Sequence, residues 1–174
     1  MWFRVGLLLL LLGIGDRAQA EPLRAPLWGE PALQMEAPKG WTVSRGGWLS
    51  GDHFVIALMP GRAGLIALAM IERDQAPAPR EEAQKIAGAE WVLDAGSTAA
   101  SIDGHAAEAF TATERSGGTH PDRQARYLIA RIDDRHLAVV IAIVAKTEAD
   151  VDRLATDDAV ASVHVIPPRS SAGN

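Results

Sequence analysis

No cysteine occurs anywhere in the 174 residues. A disulfide framework is therefore excluded, and so is lipid attachment through a lipobox cysteine. Any metal site would have to do without thiolate ligands. Positive charge is thin as well, with 17 lysines and arginines against 22 acids and a formal net charge of −5. No basic cluster is dense enough to track a phosphate backbone, so nucleic acid is not an expected partner. The negative balance serves solubility and says little about fold. Long apolar runs are missing too. The one near the amino terminus, Val5 to Ile14, holds ten residues, whereas a bilayer core requires roughly twenty. No internal repeat is present.

What that short run does match is a secretory signal. Arg4 supplies a positive start and Val5 to Ile14 the apolar core. Gly15-Asp16-Arg17 breaks it, and Ala18-Gln19-Ala20 is the small-x-small pattern that a signal peptidase reads. Residues 1–20 are thus expected to be a signal peptide cleaved after Ala20. The protein is then periplasmic or secreted, with no stable membrane anchor after cleavage. Taking those 20 residues from 174 leaves 154, a length that suits one domain and buries about 70% of its unfolded surface. The removed segment carries Arg4 and Arg17 against Asp16, net +1, so the remaining chain holds −6 rather than −5.

Residues 21–32 hold three prolines and one glycine around Trp28 and read as an extended lead-in. The domain proper is expected over 33–166, with 167–174 a mobile, proline-initiated tail. Leu33 to Ala37 suits a short strand ended by Pro38-Lys39-Gly40. Thr42 to Arg45 suits a second, with Gly46-Gly47 turning the chain toward Trp48. Phe54 to Pro60 and Leu65 to Arg73 are strands joined by the short loop Gly61 to Gly64, hence an antiparallel hairpin. Both are apolar on both faces, so the sheet they enter must be covered on both sides.

A stiff loop, Gln75 to Pro79, leads to a helix expected from about Arg80 to Leu93. Glu81 and Glu82 in its first turn favour the helix dipole, and Glu81 pairs with Lys85 at i,i+4. Ala83, Ile86, Ala87 and Trp91 form its apolar stripe, while Gly88 inside it is unfavourable by about 1 kcal/mol relative to alanine. The second half runs Ser97 to Ile102, a hairpin-type Asp103-Gly104, and His105 to Arg115 with small Ala107, Ala109 and Ala112. After the loop Ser116 to Asp122 come Arg123 to Ile132 and Arg135 to Ala145, joined tightly by Asp133-Asp134. Leu137 to Ala145 is apolar throughout, which marks a central strand. Thr147 then N-caps a terminal helix, with Asp150 completing a weak capping box and Val151, Leu154, Ala155 and Ala159 as its buried stripe.

This order predicts an α+β domain, with a mostly antiparallel sheet of about six or seven strands covered by helices. Two helices alone would struggle to cover both faces of so apolar a sheet. Indole rings bury about 150–250 Å² each, so Trp41 and Trp48 can plug an edge or end of it, with Gly40, Gly46 and Gly47 turning the backbone around them.

The stretch "LQMEAPKGWTV", Leu33 to Val43, resembles the opening of the PsbP/Mog-like family, an apolar strand followed by Pro-x-Gly-Trp. "IDGHAAEAF", Ile102 to Phe110, with its central Asp-Gly, and the closing strand pair and helix extend the resemblance over roughly Leu33 to Val165. The resemblance implies an α-β-α sandwich and no shared catalytic residues. Family members with known roles are an extrinsic subunit of photosystem II and a nuclear Ran-binding protein, beside many exported bacterial proteins. No residue in this chain supports carrying either partner over.

Candidate chemistry is sparse. The five histidines, at 53, 105, 120, 136 and 164, show no i,i+4 pair and no HExxH, so no metal site is expected. Ser116, His120 and Asp122 include the residue types of a hydrolase triad, but one glycine-rich loop neither orients nor dries them, and no GxSxG elbow is present. Glu81-Glu82, Asp133-Asp134 and Asp157-Asp158 are adjacent in sequence, diverge on a helix or turn, and read as solvated acids. No glycine pattern cradles a nucleotide, and no cofactor is expected. The remaining candidates are Trp28, Trp41, Arg45, Trp48 and Arg62, because aromatic side chains with arginine compose interaction surfaces.

The expected function is accordingly that of an exported non-enzymatic domain binding a protein partner in the cell envelope or supporting an envelope assembly. A periplasmic carrier of a small ligand or metal is the alternative reading, and an envelope hydrolase a distant one.

Overall fold

Strands that are apolar on both faces can lie only inside a sheet covered on both sides, and the structure places them there. The computed structural model describes residues 22–49, 52–60, 64–115, 123–145 and 150–168. The signal peptide, the loop with Ser116, His120 and Asp122, Arg62, Thr147 and the end of the tail lie outside the described residues.

The strands are β1 (Leu23–Ala25), β2 (Ala32–Met35), β3 (Thr42–Leu49), β4 (Asp52–Leu58) and β5 (Leu65–Glu72), followed by helix α1 (Pro79–Ala87). Then come β6 (Trp91–Leu93), β7 (Thr98–Ile102), β8 (His105–Glu114), β9 (Arg123–Arg131) and β10 (His136–Ala145), helix α2 (Asp150–Ala161) and β11 (His164–Ile166). Among the described residues, eight strands form one antiparallel sheet, ordered β3-β4-β5-β10-β9-β8-β6, with β7 also paired to β8. A second sheet has the order β1-β2-β11. The architecture is thus a mostly antiparallel sheet with two helices, one or two strands larger than the sequence suggests.

β10 is central, as its composition predicts, flanked by β5 (Val140 opposite Leu68) and β9 (Val140 opposite Leu128). Alternate residues serve two separate cores. Val55, Ile66, Leu68, Leu128 and Val140 face one that also takes Leu23, Leu33 and Met35 of the small sheet, with Ala159 of α2 and Val163 behind it. Phe54, Ile71, Tyr127, Ile129, Val139 and Ile141 face the other, closed by Ala83, Ile86 and Ala87 of α1. One face is therefore covered by a helix, and the other chiefly by a small sheet with α2 beside it.

Several expectations need correction. The lead-in is not merely extended: Leu23 and Ala25 are 2% and 0% exposed, so β1 is part of the core. β3 does not turn at Gly46-Gly47. It runs on to Leu49 through a bulge between Arg45 and Gly47, because an extra residue in an antiparallel pair can be absorbed without leaving the ladder. α1 ends at Ala87, where Gly88 takes φ 57°. This positive φ suits glycine at a helix end. What looked like an unfavourable interior glycine is the stop signal, and Trp91 lies on β6. In α2, Leu154 is 62% exposed, while Thr156 and Ala159 are 3% and 5% exposed. The buried stripe is rotated from the expected one. β11, which the sequence does not announce, pairs with β2 through Val165 opposite Leu33.

The two leucines test these corrections directly. Leu23→Ala should lower stability by about 3 kcal/mol, as buried Leu→Ala changes do, and Leu154→Ala should change it by less than about 0.5 kcal/mol. Urea unfolding of both variants followed by circular dichroism measures the difference. Equal losses would contradict the placement of β1 in the core.

Candidate functional site

A carboxylate on the apolar stripe of a helix requires a partner, because burying an unpaired charge is severely unfavourable. Glu82 of α1 is in that position, 2% exposed beside Ala83 and Ile86. Its partner is Arg73, immediately after β5, whose Nη2 donates to Glu82 Oε1 at 2.9 Å. The same guanidinium grips Asp52, at the start of β4, in bidentate fashion, with Nη1 to Oδ1 at 2.7 Å and Nη2 to Oδ2 at 2.6 Å. Lys85 Nζ closes the cluster from one turn along α1, 3.6 Å from Glu82 and 3.8 Å from Asp52. Hydrogen bonding to Asp52, reinforced by the charge of Glu82 and opposed by burial, raises the Arg73 pKa further above its ordinary value. The guanidinium is a permanent cation that ties β4, β5 and α1 together.

The same end of the sheet carries further charges. Arg135 Nη2 donates to Glu72 at 2.7 Å, both side chains being exposed. Glu72, Arg73, Asp74 and Arg135 line an open depression of about 360 Å³. Arg131 donates to the carbonyls of Ala76 and Pro77 at 2.8 and 3.0 Å, which fastens the loop into α1. In the β9–β10 turn, burial works against the charged form of Asp133, but hydrogen bonds from Arg135 N and from the ring and N–H of His136 prevail. Its pKa is lowered. Apart from Asp74, each charge named here has a partner, so the arrangement clamps the sheet end and presents mostly paired charge.

A second polar junction holds the small sheet. Asp103 sits in the β7–β8 turn at φ 48°, followed by Gly104 at φ 79°, the conformation of a two-residue hairpin turn. Its Oδ2 accepts from Val165 N of β11 at 2.8 Å, and His164 Nδ1 lies 3.3 Å from Oδ1. The Asp-Gly dipeptide that resembles the family motif thus also anchors the last strand. At the far edge, Arg123 pairs bidentately with Glu114 at 2.8 and 2.6 Å and stands over the Trp91 ring, 5.7 Å from its centroid.

Of the sequence-predicted candidates, only Trp28 and Trp41 have side chains among the described residues. Trp28 is 84% exposed in the β1–β2 loop, which Arg24 staples by donating to Gly29 O at 2.7 Å. Trp41 is partly buried against the core cluster of Leu33 and Met35. It therefore acts as the expected plug at one end of β3. Trp48 lies opposite His53 near the other end, seven residues on, or about 23 Å of extended strand. Trp41 and Trp48 thus sit toward opposite ends of β3. Arg45 is opposite Val55 in the middle of β3, the side chains of Arg45 and Trp48 are outside the described set, and Arg62 is outside it altogether. Glu82 corrects the reading of Glu81-Glu82 as two solvated acids. Its signal was available, since it shares the helical stripe of Ala83, Ile86 and Ala87. His136 and His164 each face a single aspartate, and among the described residues no three histidines or acids converge as a metal site would require.

No family model matches the chain, and no curated protein matches it. Among solved structures it is similar to LpqN, involved in cell envelope biogenesis of Mycobacterium tuberculosis. That match has a TM-score of 0.54 and 14% identity over 86% of this chain and 91% of that one. It is also similar to cyanobacterial PsbP (CyanoP) from Synechocystis sp. PCC 6803, with a TM-score of 0.56 and 14% identity over 89% and 98% of the two chains. The fold is PsbP-like, as the motif resemblance implied. Among the described residues no helix is long and apolar enough to cross a membrane.

Two measurements probe these junctions. Glu82→Ala should lower stability by about 2 kcal/mol. This is less than a fully buried pair would lose, because 25% of the Arg73 side chain reaches water. The Arg73→Ala/Glu82→Ala double variant should lose less than the sum of the single losses in urea unfolding, since either single change already removes the hydrogen bond the two residues share. At the second junction, the hydrogen bond from Val165 N, aided by that of His164, lowers the Asp103 pKa. A depressed carboxylate contributes stability above the unfolded value of about 4 and loses it as pH falls through the lower folded value. The melting temperature of the wild type should therefore exceed that of Asp103→Asn at neutral pH, with the gap closing below about pH 3. A gap independent of pH would contradict the charged hydrogen bond.

Proposed function

We propose that this is an exported, envelope-associated, non-enzymatic domain that binds a protein partner. The observation that carries the reading is the fold shared with LpqN, a protein involved in cell envelope biogenesis, over 86% of this chain and 91% of that one. The signal-like amino terminus supports export, and the likeness to CyanoP extends over 98% of that chain. The charge clusters support a non-enzymatic role, because their groups are engaged with each other rather than poised toward a substrate. The same reading takes the layering as the α-β-α sandwich that the family resemblance implies, supported by α1 on one face and α2 at the other.

Trp28 supplies a contact point. It is 84% exposed between Pro26 and Pro31, on a loop stapled by Arg24. A large ring presented on a tied loop loses little conformational freedom when a partner buries it. The expected outcome of a crosslinked pull-down from the native envelope is one stoichiometric partner captured by the wild type. Trp28→Ala should lose it while keeping an unchanged circular dichroism spectrum. Enrichment of nothing by the wild type would count against the partner-binding reading.

A further inference from the structure

Sheet edges are where this fold could bind another backbone, and the edges differ. β1 and β11 have three residues each. The far edge of the main sheet is divided between β6, with three, and β7, with five. Brevity is one of the means by which proteins keep an edge from pairing. β3 has eight residues, Thr42–Leu49, with neither proline nor lysine among them. Among the described residues no strand pairs with its outer side. In an antiparallel pair every second residue turns its N–H and C=O away from its neighbour, so β3 presents a row of main-chain donors and acceptors.

Two features locate the usable part. Thr42 to Arg45 keep unbroken register with Leu58 to Val55, and the bulge follows. Gly46 and Gly47 come next, and glycine in a strand often marks a place where another backbone approaches closely. Charge narrows the occupant. Arg45 is the one charged residue of β3. Opposite charges paired across strands attract and like charges repel. Antiparallel pairing of two copies in the register that sets Arg45 opposite Arg45 is disfavoured by that repulsion.

We propose that the outer edge of β3, centred on Thr42–Arg45, docks an extended segment of the partner as an additional strand, with a carboxylate of that segment opposite Arg45. The proposal rests on the partner-binding reading above and specifies its surface and chemistry. Main-chain pairing would supply the affinity and Arg45 the selectivity.

The test uses the isotope-labelled intact protein and two blocked synthetic peptides, Thr-Val-Glu-Val-Thr and Thr-Val-Lys-Val-Thr, titrated to millimolar concentration while backbone amide shifts are recorded. The glutamate peptide should shift amides within residues 42–49 and bind about five-fold tighter than the lysine peptide. Arg45→Glu should reverse that order. Shifts confined to other strands, no shifts at all, or equal binding of the two peptides would overturn the proposal. So would shifts at 42–49 that grow with protein concentration in the absence of peptide, the sign of two copies pairing. Capture of a Trp28-dependent partner, with β3 indifferent to both peptides, would overturn the edge proposal and leave the partner-binding reading standing.

Discussion

Strands β5 and β10 are apolar on both faces, and that single constraint organises the molecule. Neither face of the sheet around them can meet water, so the chain must supply two covers. α1 provides one, laying Ala83, Ile86 and Ala87 over Ile71, Val139 and Ile141. The other is assembled from the two ends of the folded region. β1 and β2 come from its start and α2 and β11 from its finish, and together they close over Leu68 and Val140. Both ends of the described region are thereby built into the core.

Once the covers are in place, their attachment points become the polar features of the structure. Helix α1 is held at its first turn by Arg73, which joins Glu82 to Asp52 and so ties the cover to two strands at once. The small sheet is held by Asp103, reaching from the β7–β8 turn to the backbone of β11. Both junctions place a charged group where a cover meets the main sheet. Among the described residues, both junctions thus serve to hold the covers on the main sheet.

The hairpins, the central place of β10 and the need for two covers were all legible from residue patterns. So was the likeness of "LQMEAPKGWTV" to a PsbP-like opening. Less legible was where elements stop. Gly88 could be an interior flaw or an end, and only the positive φ there shows which. Gly46-Gly47 could be a turn or a bulge, and pairing with β4 decided for the bulge. Leu154, expected in the buried stripe, is exposed while Thr156 is buried, because the rotation of α2 is set by what it packs on, not by hydrophobicity alone. Among the candidate binding residues, sequence proximity suggested one tryptophan corner. β3, continuous through its bulge, separates Trp41 from Trp48, because an extended strand carries neighbours in sequence far apart in space.

By itself, then, the sequence determined the local periods, the doubly apolar centre, the hairpin turn at Asp103-Gly104 and the absence of any cysteine-based chemistry. These depend on residues close together along the chain. Tertiary structure alone decided that Arg73 is the partner of Glu82, that Leu23 belongs to the core, that β11 closes the small sheet and that β3 lies at an edge. Each of those is a contact between segments distant in sequence, set by which surfaces remain to be covered once the central strands have paired.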